Sequence, residues 1–396
     1  MEHSSLVIAT CEGVHQYLRW SARKRTDGSD MKALFLAGGM GTRLQPLTDN
    51  LPKPMVPILN KPLLERTIFN LKKCGISEMV ISTCYHPEYI EEYFGNGSKF
   101  DLNINYIVEE NPMGTGGAIK MAEKYFEESF LVFNSDILSD IDLSKMIDFH
   151  KSKKALATIA VTEVQDPSMY GVIEYDSNGY AITFKEKPKA EETTSKSINA
   201  GIYIFEPEIF DEIASDRAVS IERETFPYLL DHNLKISIYK SGSYWMDIGT
   251  IQKYRQAHWD IMSGKCKLVD CDFNSEHISF GKNVTINPSA VIVGPAYIGD
   301  NVIVGAKAEI NHSVIGNNVF VGDESKIVGS VIWNDIVISP SATLVDAVVT
   351  ASSFEDNEIK LLSALTIIEP LITKKLLGGK IEQLPINLKA RKDDKN

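Results

Sequence analysis

From Met31 onward, short apolar runs alternate with stretches in which apolar residues recur every three or four positions. The runs that read as strands are Lys32–Ala37, Met79–Thr83, Ile104–Val108, Phe130–Asn134, Ala157–Thr162 and Gly201–Phe205. Runs that are short and apolar throughout suit strands buried on both faces. Between the first two, Leu63, Leu64, Ile68 and Leu71 share one face of a helix predicted from Pro62 to Cys74, which Gly75 would end. Strands alternating with helices predict a doubly wound α/β domain with parallel strands over residues 31–265. Ligands of such sheets sit beyond the carboxyl ends of the strands. The loops after Ala37, Val108 and Asn134 are therefore where binding is expected.

After about Ser275 the period changes. Aliphatic or aromatic residues recur at Phe280, Ile286, Ile292, Ile298, Val304, Ile310, Ile315, Val321, Ile327, Ile332, Ile338 and Leu344, nine of the eleven steps being six residues and two being five. Glycine or asparagine follows many of them, as at Gly281, Asn287, Gly299 and Gly305. This spacing predicts a hexapeptide β-helix over residues 275–350, a triangular coil taking one inward side chain per face. Twelve hexads make about four coils. The tail, 351–396, carries a helix-like stretch from Asn357 to Leu377 that could cap the solenoid. Residues 1–30 show no comparable pattern and are expected to be an extension that is disordered or not native to the fold.

Composition narrows the partners. The 396 residues carry 41 Lys+Arg against 53 Asp+Glu, a formal net charge of −12, which argues against nucleic-acid or anionic-membrane binding. No apolar stretch reaches the length of a membrane span; Ser363 and Glu369 interrupt Leu361–Ile372. Five cysteines without a CxxC pair fit a reducing compartment, so a cytoplasmic location is expected. In so acidic a chain, a phosphate-bearing ligand needs local cations beside a glycine turn.

Such a place follows the first strand. In Ala37-Gly38-Gly39-Met40-Gly41-Thr42-Arg43, glycines let backbone N–H groups aim at an anion. The spacing is neither the dinucleotide G-x-G-x-x-G nor the G-K-[ST] of a Walker loop. Downstream, Leu51-Pro52-Lys53-Pro54 brackets a lysine with prolines, which fixes the direction of its ammonium. Gly-Gly-x-Gly-Thr-Arg followed by Pro-Lys-Pro resembles the sugar-nucleotidyltransferase (NDP-sugar pyrophosphorylase) family. Four more of its motifs occur in order: Asn134-Ser135-Asp136, Tyr170-Gly171-Val172, Glu186-Lys187-Pro188 and Trp245-Met246-Asp247-Ile248-Gly249.

The resemblance implies a Rossmann-like doubly wound nucleotidyltransferase domain followed by a left-handed parallel β-helix, the latter serving assembly into a homo-oligomer. It also implies the substrates, an NTP and a sugar 1-phosphate. Ala37, Gly38, Gly39, Gly41 and Thr42 would cradle the nucleotide, and Arg43 and Lys53 would neutralise its phosphates. Asp136 and Asp247, each at a strand end, suit a Mg²⁺ site completed by substrate phosphates. Glu186 and Asn199 would hold sugar hydroxyls near the Gly171 backbone, with Lys187 on the sugar phosphate. The chemistry needs no covalent nucleophile, because the attacking phosphate oxygen is already anionic.

The loop Glu109–Gly117 falls where this family reads the base. Glu109 there, with Gly114 and Thr115, offers two acceptors to the N1–H and amine of guanine, where uracil- and thymine-specific relatives usually carry glutamine. Together with Ser220-Ile221-Glu222 and Trp245-Met246-Asp247, this resembles GTP:mannose-1-phosphate guanylyltransferases with a C-terminal β-helix. Three alternatives stand beside it: a UTP or dTTP glucose-1-phosphate transferase, a heptose-1-phosphate guanylyltransferase, and a non-catalytic regulatory subunit.

Overall fold

The computed structural model describes residues 31–268 and 271–350, with two short strands further on, Leu376–Leu377 and Lys380–Ile381. Nine strands form the main sheet: β1 (Ala33–Ala37), β2 (Glu78–Thr83), β3 (Asn103–Val108), β4 (Phe130–Asn134), β5 (Ala157–Glu163), β6 (Gly171–Tyr175), β7 (Ala181–Glu186), β8 (Ser197–Phe205) and β9 (Ile236–Lys240). The order along the sheet is β7-β6-β8-β4-β1-β2-β3, with β5 pairing β8 and β9 pairing β5. Strands β3, β2, β1 and β4 run parallel.

Side chains alternate strictly across this sheet. Ala33, Phe35, Leu131, Phe133, Ile202 and Ile204 enter one core, against helices α1 (Leu63–Lys73), α2 (Pro87–Phe94) and α4 (Leu143–Ser152). Leu34, Phe130, Val132, Tyr203 and Phe205 enter the other, against α3 (Gly114–Met121) and α5 (Phe226–Asp231). Two-sided burial is what made these strands read as unbroken apolar runs. The fold is the expected doubly wound α/β domain.

One expectation changes. The strand at Gly201 is not parallel to its neighbours: β8 runs antiparallel to both β4 and β5, so that β5 points the same way as β4 and pairs parallel with β9, and β6 with β7 is an antiparallel hairpin. An apolar run looks the same whichever way the chain enters the sheet. Gly201 sits at φ +68°, inside a register shift between Asn199 and Tyr203, and a Cβ there would lie 2.8 Å from the Asn134 amide nitrogen. Only glycine fits this bulge, which bends β8 around the end of β4.

The β-helix follows a final catalytic-domain helix, α6 (Ile251–Met262), and begins at Ile278. Its strands stack into three parallel sheets, one of five strands and two of four. Four coils are complete at Val345, as the hexads predict, and Val348–Val349 begins a fifth. Ile298, Val304, Ile310, Ile315, Val321, Ile327, Ile332, Ile338 and Leu344 fill its core. Phe280 and Ile286 belong to the first coil and stay exposed at its rim. At one corner Asn283, Asn301, Asn318 and Asp335 adopt left-handed φ and pass hydrogen bonds from coil to coil at 2.9–3.0 Å. Gly299 is required by stacking, since a Cβ there would come 2.5 Å from Asn317 Oδ1.

The solenoid's five-stranded face docks on α6. Outward residues Val314, Val331 and Val348, in register 17 residues apart, share a core with Tyr254, Ala257 and Ile261. Trp333 donates its indole N–H to the Tyr254 hydroxyl (2.9 Å), which donates to the Pro57 carbonyl (2.9 Å). Arg255 reaches the Gly329 carbonyl at 2.8 Å and pairs with Asp346. The catalytic domain and the β-helix belong to one compact unit. The predicted extension at 1–30 and most of the predicted tail helix lie outside the described residues. At the end of that stretch, Leu376–Leu377 is a strand and not helix, paired antiparallel with Lys380–Ile381.

His258 in α6 gives the interface a pH signature. Burial depresses its imidazole from the ordinary 6.5 to about 4. The native protein then binds fewer protons than the unfolded chain between those values, so this contribution is complete above about pH 6.5 and lost as pH falls towards 4. At 1.36 kcal/mol per unit the loss approaches about 3 kcal/mol. Urea unfolding at pH 7 and at pH 4.5 is expected to show that slope in wild type and a flatter one in His258→Gln.

Candidate active site

The glycine loop leaves the carboxyl end of β1 and turns into a short 3₁₀ helix, Thr42–Leu44. Gly41 is left-handed at φ +65°, and a Cβ there would press on Lys53 Cβ (3.0 Å) and Thr48 Cγ2 (3.1 Å). The loop therefore lies directly on the Pro-Lys-Pro segment. Gly39, Thr42 and Arg43 face solvent, while Ala37 is buried at the strand end.

Lys53 is buried and opens a 3₁₀ turn between its two prolines. Its ammonium donates to Asp136 Oδ2 at 2.5 Å. Asp136 follows β4, and Ser135 beside it is pinned to the Leu36 carbonyl through both its hydroxyl (2.7 Å) and its N–H (3.2 Å). The next strand, Ile137–Ser139, pairs antiparallel with Trp245–Asp247. That pairing sets Asp247 opposite Ile137, and Ile248 N–H donates to the Asp136 carbonyl at 2.9 Å. Two aspartates 111 positions apart thus become neighbours on one small ladder.

Arg43 joins them. A Cβ placed on Gly249 would lie 3.0 Å from Asp247 Oδ2 and 3.4 Å from an Arg43 guanidinium nitrogen. Arg43, Lys53, Asp136 and Asp247 are one cluster. Hard carboxylate oxygens suit a divalent cation of the magnesium type. Among the described residues no third acidic or imidazole group joins them, so phosphate oxygens and water would complete the coordination.

Asp247 is itself engaged. It accepts from the Tyr170 hydroxyl (3.0 Å) and from Lys253 in the first turn of α6, and Lys253 also donates to Tyr170 (2.7 Å). Burial would lower the Lys253 ammonium, but its bonds to Asp247 and Tyr170 outweigh that and hold it above its usual range. Burial raises the Tyr170 phenol. Neither Lys253 nor the Tyr170 hydroxyl was singled out by motif. The available signal was a lysine in a first helical turn, which the helix dipole disfavours unless an anion is near.

Tyr170 also connects to the sugar side, because the Lys187 N–H donates to its carbonyl at 2.9 Å. Lys187 adopts φ +51°, a left-handed conformation uncommon for a residue with a side chain. Its ammonium is half exposed and 3.9 Å from Glu186. Gly171 pairs with Glu186 across the β6–β7 hairpin, and a Cβ on it would strike Glu186 Oε2 at 2.9 Å. Burial, then repulsion from Glu222, raises the Glu186 carboxyl, with Lys187 and Arg223 opposing. Asn199 is turned inward. Its amide donates to Tyr203 (2.8 Å) and accepts from Gly201 N–H (2.9 Å), which holds the β8 bulge.

The loop after β3 is organised around Glu109, only 5% exposed. Oε1 accepts from the Ser82 hydroxyl (2.9 Å) and Oε2 from Met113 N–H (2.8 Å). A Cβ on Gly38 would lie 2.9 Å from Oε1, so this carboxylate touches the glycine loop. Gly114 and Thr115 start α3 beside the 219–222 segment, Gly114 exposed. Val219 O takes the N–H of Gly116 at 2.8 Å, and the Thr115 hydroxyl donates to Glu222 at 2.6 Å. Glu222 is a further polar residue of this site that motif reading did not assign.

Comparison with known proteins agrees with this layout. The family described as nucleotidyl transferase matches residues 32–264, and the bacterial transferase hexapeptide (six repeats) family matches 277–312. A mannose-1-phosphate guanylyltransferase of Mycobacterium tuberculosis is 36% identical over 284 residues, 71% of this chain and 79% of that one. A UTP–glucose-1-phosphate uridylyltransferase of Synechocystis is 37% identical over 286 residues, 68% of this chain and 74% of that one. Among solved structures, HddC from Yersinia pseudotuberculosis complexed with GMP-PN superposes with a TM-score of 0.51 at 30% identity, covering 58% of this chain and 99% of that one. A glycine nest, two lysine-paired aspartates and a hairpin bearing Glu-Lys-Pro, in a chain this similar over its length, have one explanation: the chain belongs to the nucleotidyl transferase family and is a sugar-phosphate nucleotidyltransferase.

Proposed function

We propose that the protein transfers guanylyl from GTP to mannose 1-phosphate, giving the nucleotide sugar and pyrophosphate. The observation carrying the base assignment is Glu109. A carboxylate has about four acceptor positions, and among the described residues Glu109 accepts two hydrogen bonds, on different oxygens. Each oxygen keeps capacity for one of guanine's two adjacent N–H donors. The identity with mannose-1-phosphate guanylyltransferases supports the same choice.

In the reaction, an anionic oxygen of the sugar phosphate attacks the α-phosphorus of the triphosphate in line. One P–O bond forms as the bond to pyrophosphate breaks. Arg43 and Lys53 neutralise charge on the nucleotide phosphates, and Lys187 holds the sugar phosphate at the attack position. Asp136 and Asp247 would hold the cation, Mg²⁺ in this reading, which when bound neutralises charge on the triphosphate. Glu186, set by its pairing with Gly171, accepts from sugar hydroxyls. Asn199 acts on the sugar by fixing the bulge, given where its amide points. The β-helix serves assembly into a homo-oligomer in the cytoplasm; its exposed Ile303 and Phe320, in register, are an apolar ladder for that contact.

The deciding experiment is pyrophosphate release with Mg²⁺, crossing GTP, UTP, dTTP, ATP and CTP with mannose, glucose and heptose 1-phosphates. GTP with mannose 1-phosphate is expected to give the highest kcat/KM. Preference for UTP with glucose 1-phosphate, the reading favoured by the Synechocystis relative, would remove the role of Glu109 and leave the mechanism intact. Absence of turnover with every pair by folded protein would point to a regulatory subunit.

A further inference from the structure

Helix α6 is capped by Thr250, whose side chain accepts from Lys253 N–H at 3.3 Å, so Lys253 stands in the first turn. A cation at that end opposes the helix dipole. It is compensated by Asp247, which is 8% exposed and takes the Lys253 ammonium on Oδ1. The Tyr170 hydroxyl completes a three-membered ring, accepting from Lys253 at 2.7 Å and donating to the same Oδ1 at 3.0 Å. The ammonium also lies 5.3 Å over the Tyr170 ring.

The two aspartates are thus each paired with one lysine, and the lysines differ in kind. Lys53 belongs to the glycine-loop side, where triphosphate is expected. Lys253 comes from a helix whose next two residues, Tyr254 and Arg255, are fastened to the β-helix. It cannot withdraw far. A divalent cation approaching Asp247 therefore meets a tethered positive charge on the same carboxylate.

We propose that Lys253 is a positioning residue, a built-in counter-ion that occupies Asp247 and sets how tightly the aspartate pair takes up its divalent cation. The proposal rests on the assignment of Asp247 as a ligand of that cation. Lys253 keeps Asp247 oriented and compensated while the site awaits its substrates. It weakens uptake of the bare ion, so that uptake is favoured when phosphates arrive to take part of the Lys253 charge.

The test uses the full chain and Mn²⁺ alone, followed by the paramagnetic resonance signal of the free aqua-ion. Lys253→Met is expected to bind Mn²⁺ about tenfold more tightly than wild type, while Lys253→Arg stays within about twofold. Adding Asp247→Asn to Lys253→Met is expected to cancel the gain. Tyr170→Phe, which removes the second anchor and keeps the charge, is expected to give about a threefold gain and serves if Lys253→Met does not fold. Unchanged or weaker affinity in folded Lys253→Met, including binding too weak to detect in both proteins, overturns the proposal. A gain that persists in the double variant overturns it together with the assignment of Asp247. Unchanged affinity alongside loss of turnover in Asp247→Asn overturns the proposal alone.

Discussion

Asp136→Asn is expected to lower kcat by about three orders of magnitude while costing only about 1 kcal/mol of stability. The asymmetry follows from position. Asp136 is partly exposed, its side chain 32% accessible, and an asparagine oxygen can still accept from the Lys53 ammonium with which it pairs, so loss of charge costs the fold little. For turnover the same carboxylate holds half of the aspartate pair and keeps Lys53 aimed into the site. Asparagine preserves shape and removes the charge on which both tasks depend. Steady-state pyrophosphate release and urea unfolding on the same preparation separate the two effects. A kcat within tenfold of wild type would show that the aspartate pair is not where the cation is held.

The second large effect is expected from Glu109→Gln, with the preference for GTP over UTP falling by about 100-fold or more, roughly 3 kcal/mol. Guanine presents two adjacent donors, N1–H and the amine, and the carboxylate meets both with acceptors. A glutamine offers one acceptor and one donor, so one guanine N–H is left facing another N–H in a buried place. The fold tolerates the change. The glutamine oxygen can accept from Met113 N–H, and its amide can donate to the Ser82 hydroxyl, which accepts as readily as it donates. The measurement is kcat/KM for both nucleotides with one sugar phosphate. An unchanged ratio would mean that Glu109 only braces the loop against Gly38.

The fold was legible wherever burial left a periodic mark. Strands β1 and β4 carry apolar residues on both faces because helices cover both, so they appear as unbroken runs. Helix α1 was readable from the single face formed by Leu64, Ile68 and Leu71. The direction of β8 was not readable, because an apolar run looks the same whichever way the chain enters the sheet; its bulge at Gly201 was not readable either, since it fits against Asn134, a residue 67 positions away. In the hairpin motif, Gly171 and Glu186 were visible one by one; their direct pairing belongs to register.

The chain by itself determined a doubly wound domain, a six-residue solenoid and a glycine nest with rigid cations, because periodicity and backbone freedom are local properties of sequence. Tertiary structure alone decided which charges meet. It joined Lys53 to Asp136 and Lys253 to Asp247, turned the Asn199 amide into the bulge, and bound Thr115 to Glu222. Coulomb and hydrogen-bond energies depend on distances of a few ångströms, and such distances between residues far apart in the chain exist only once the sheet, the hairpin and α6 have packed.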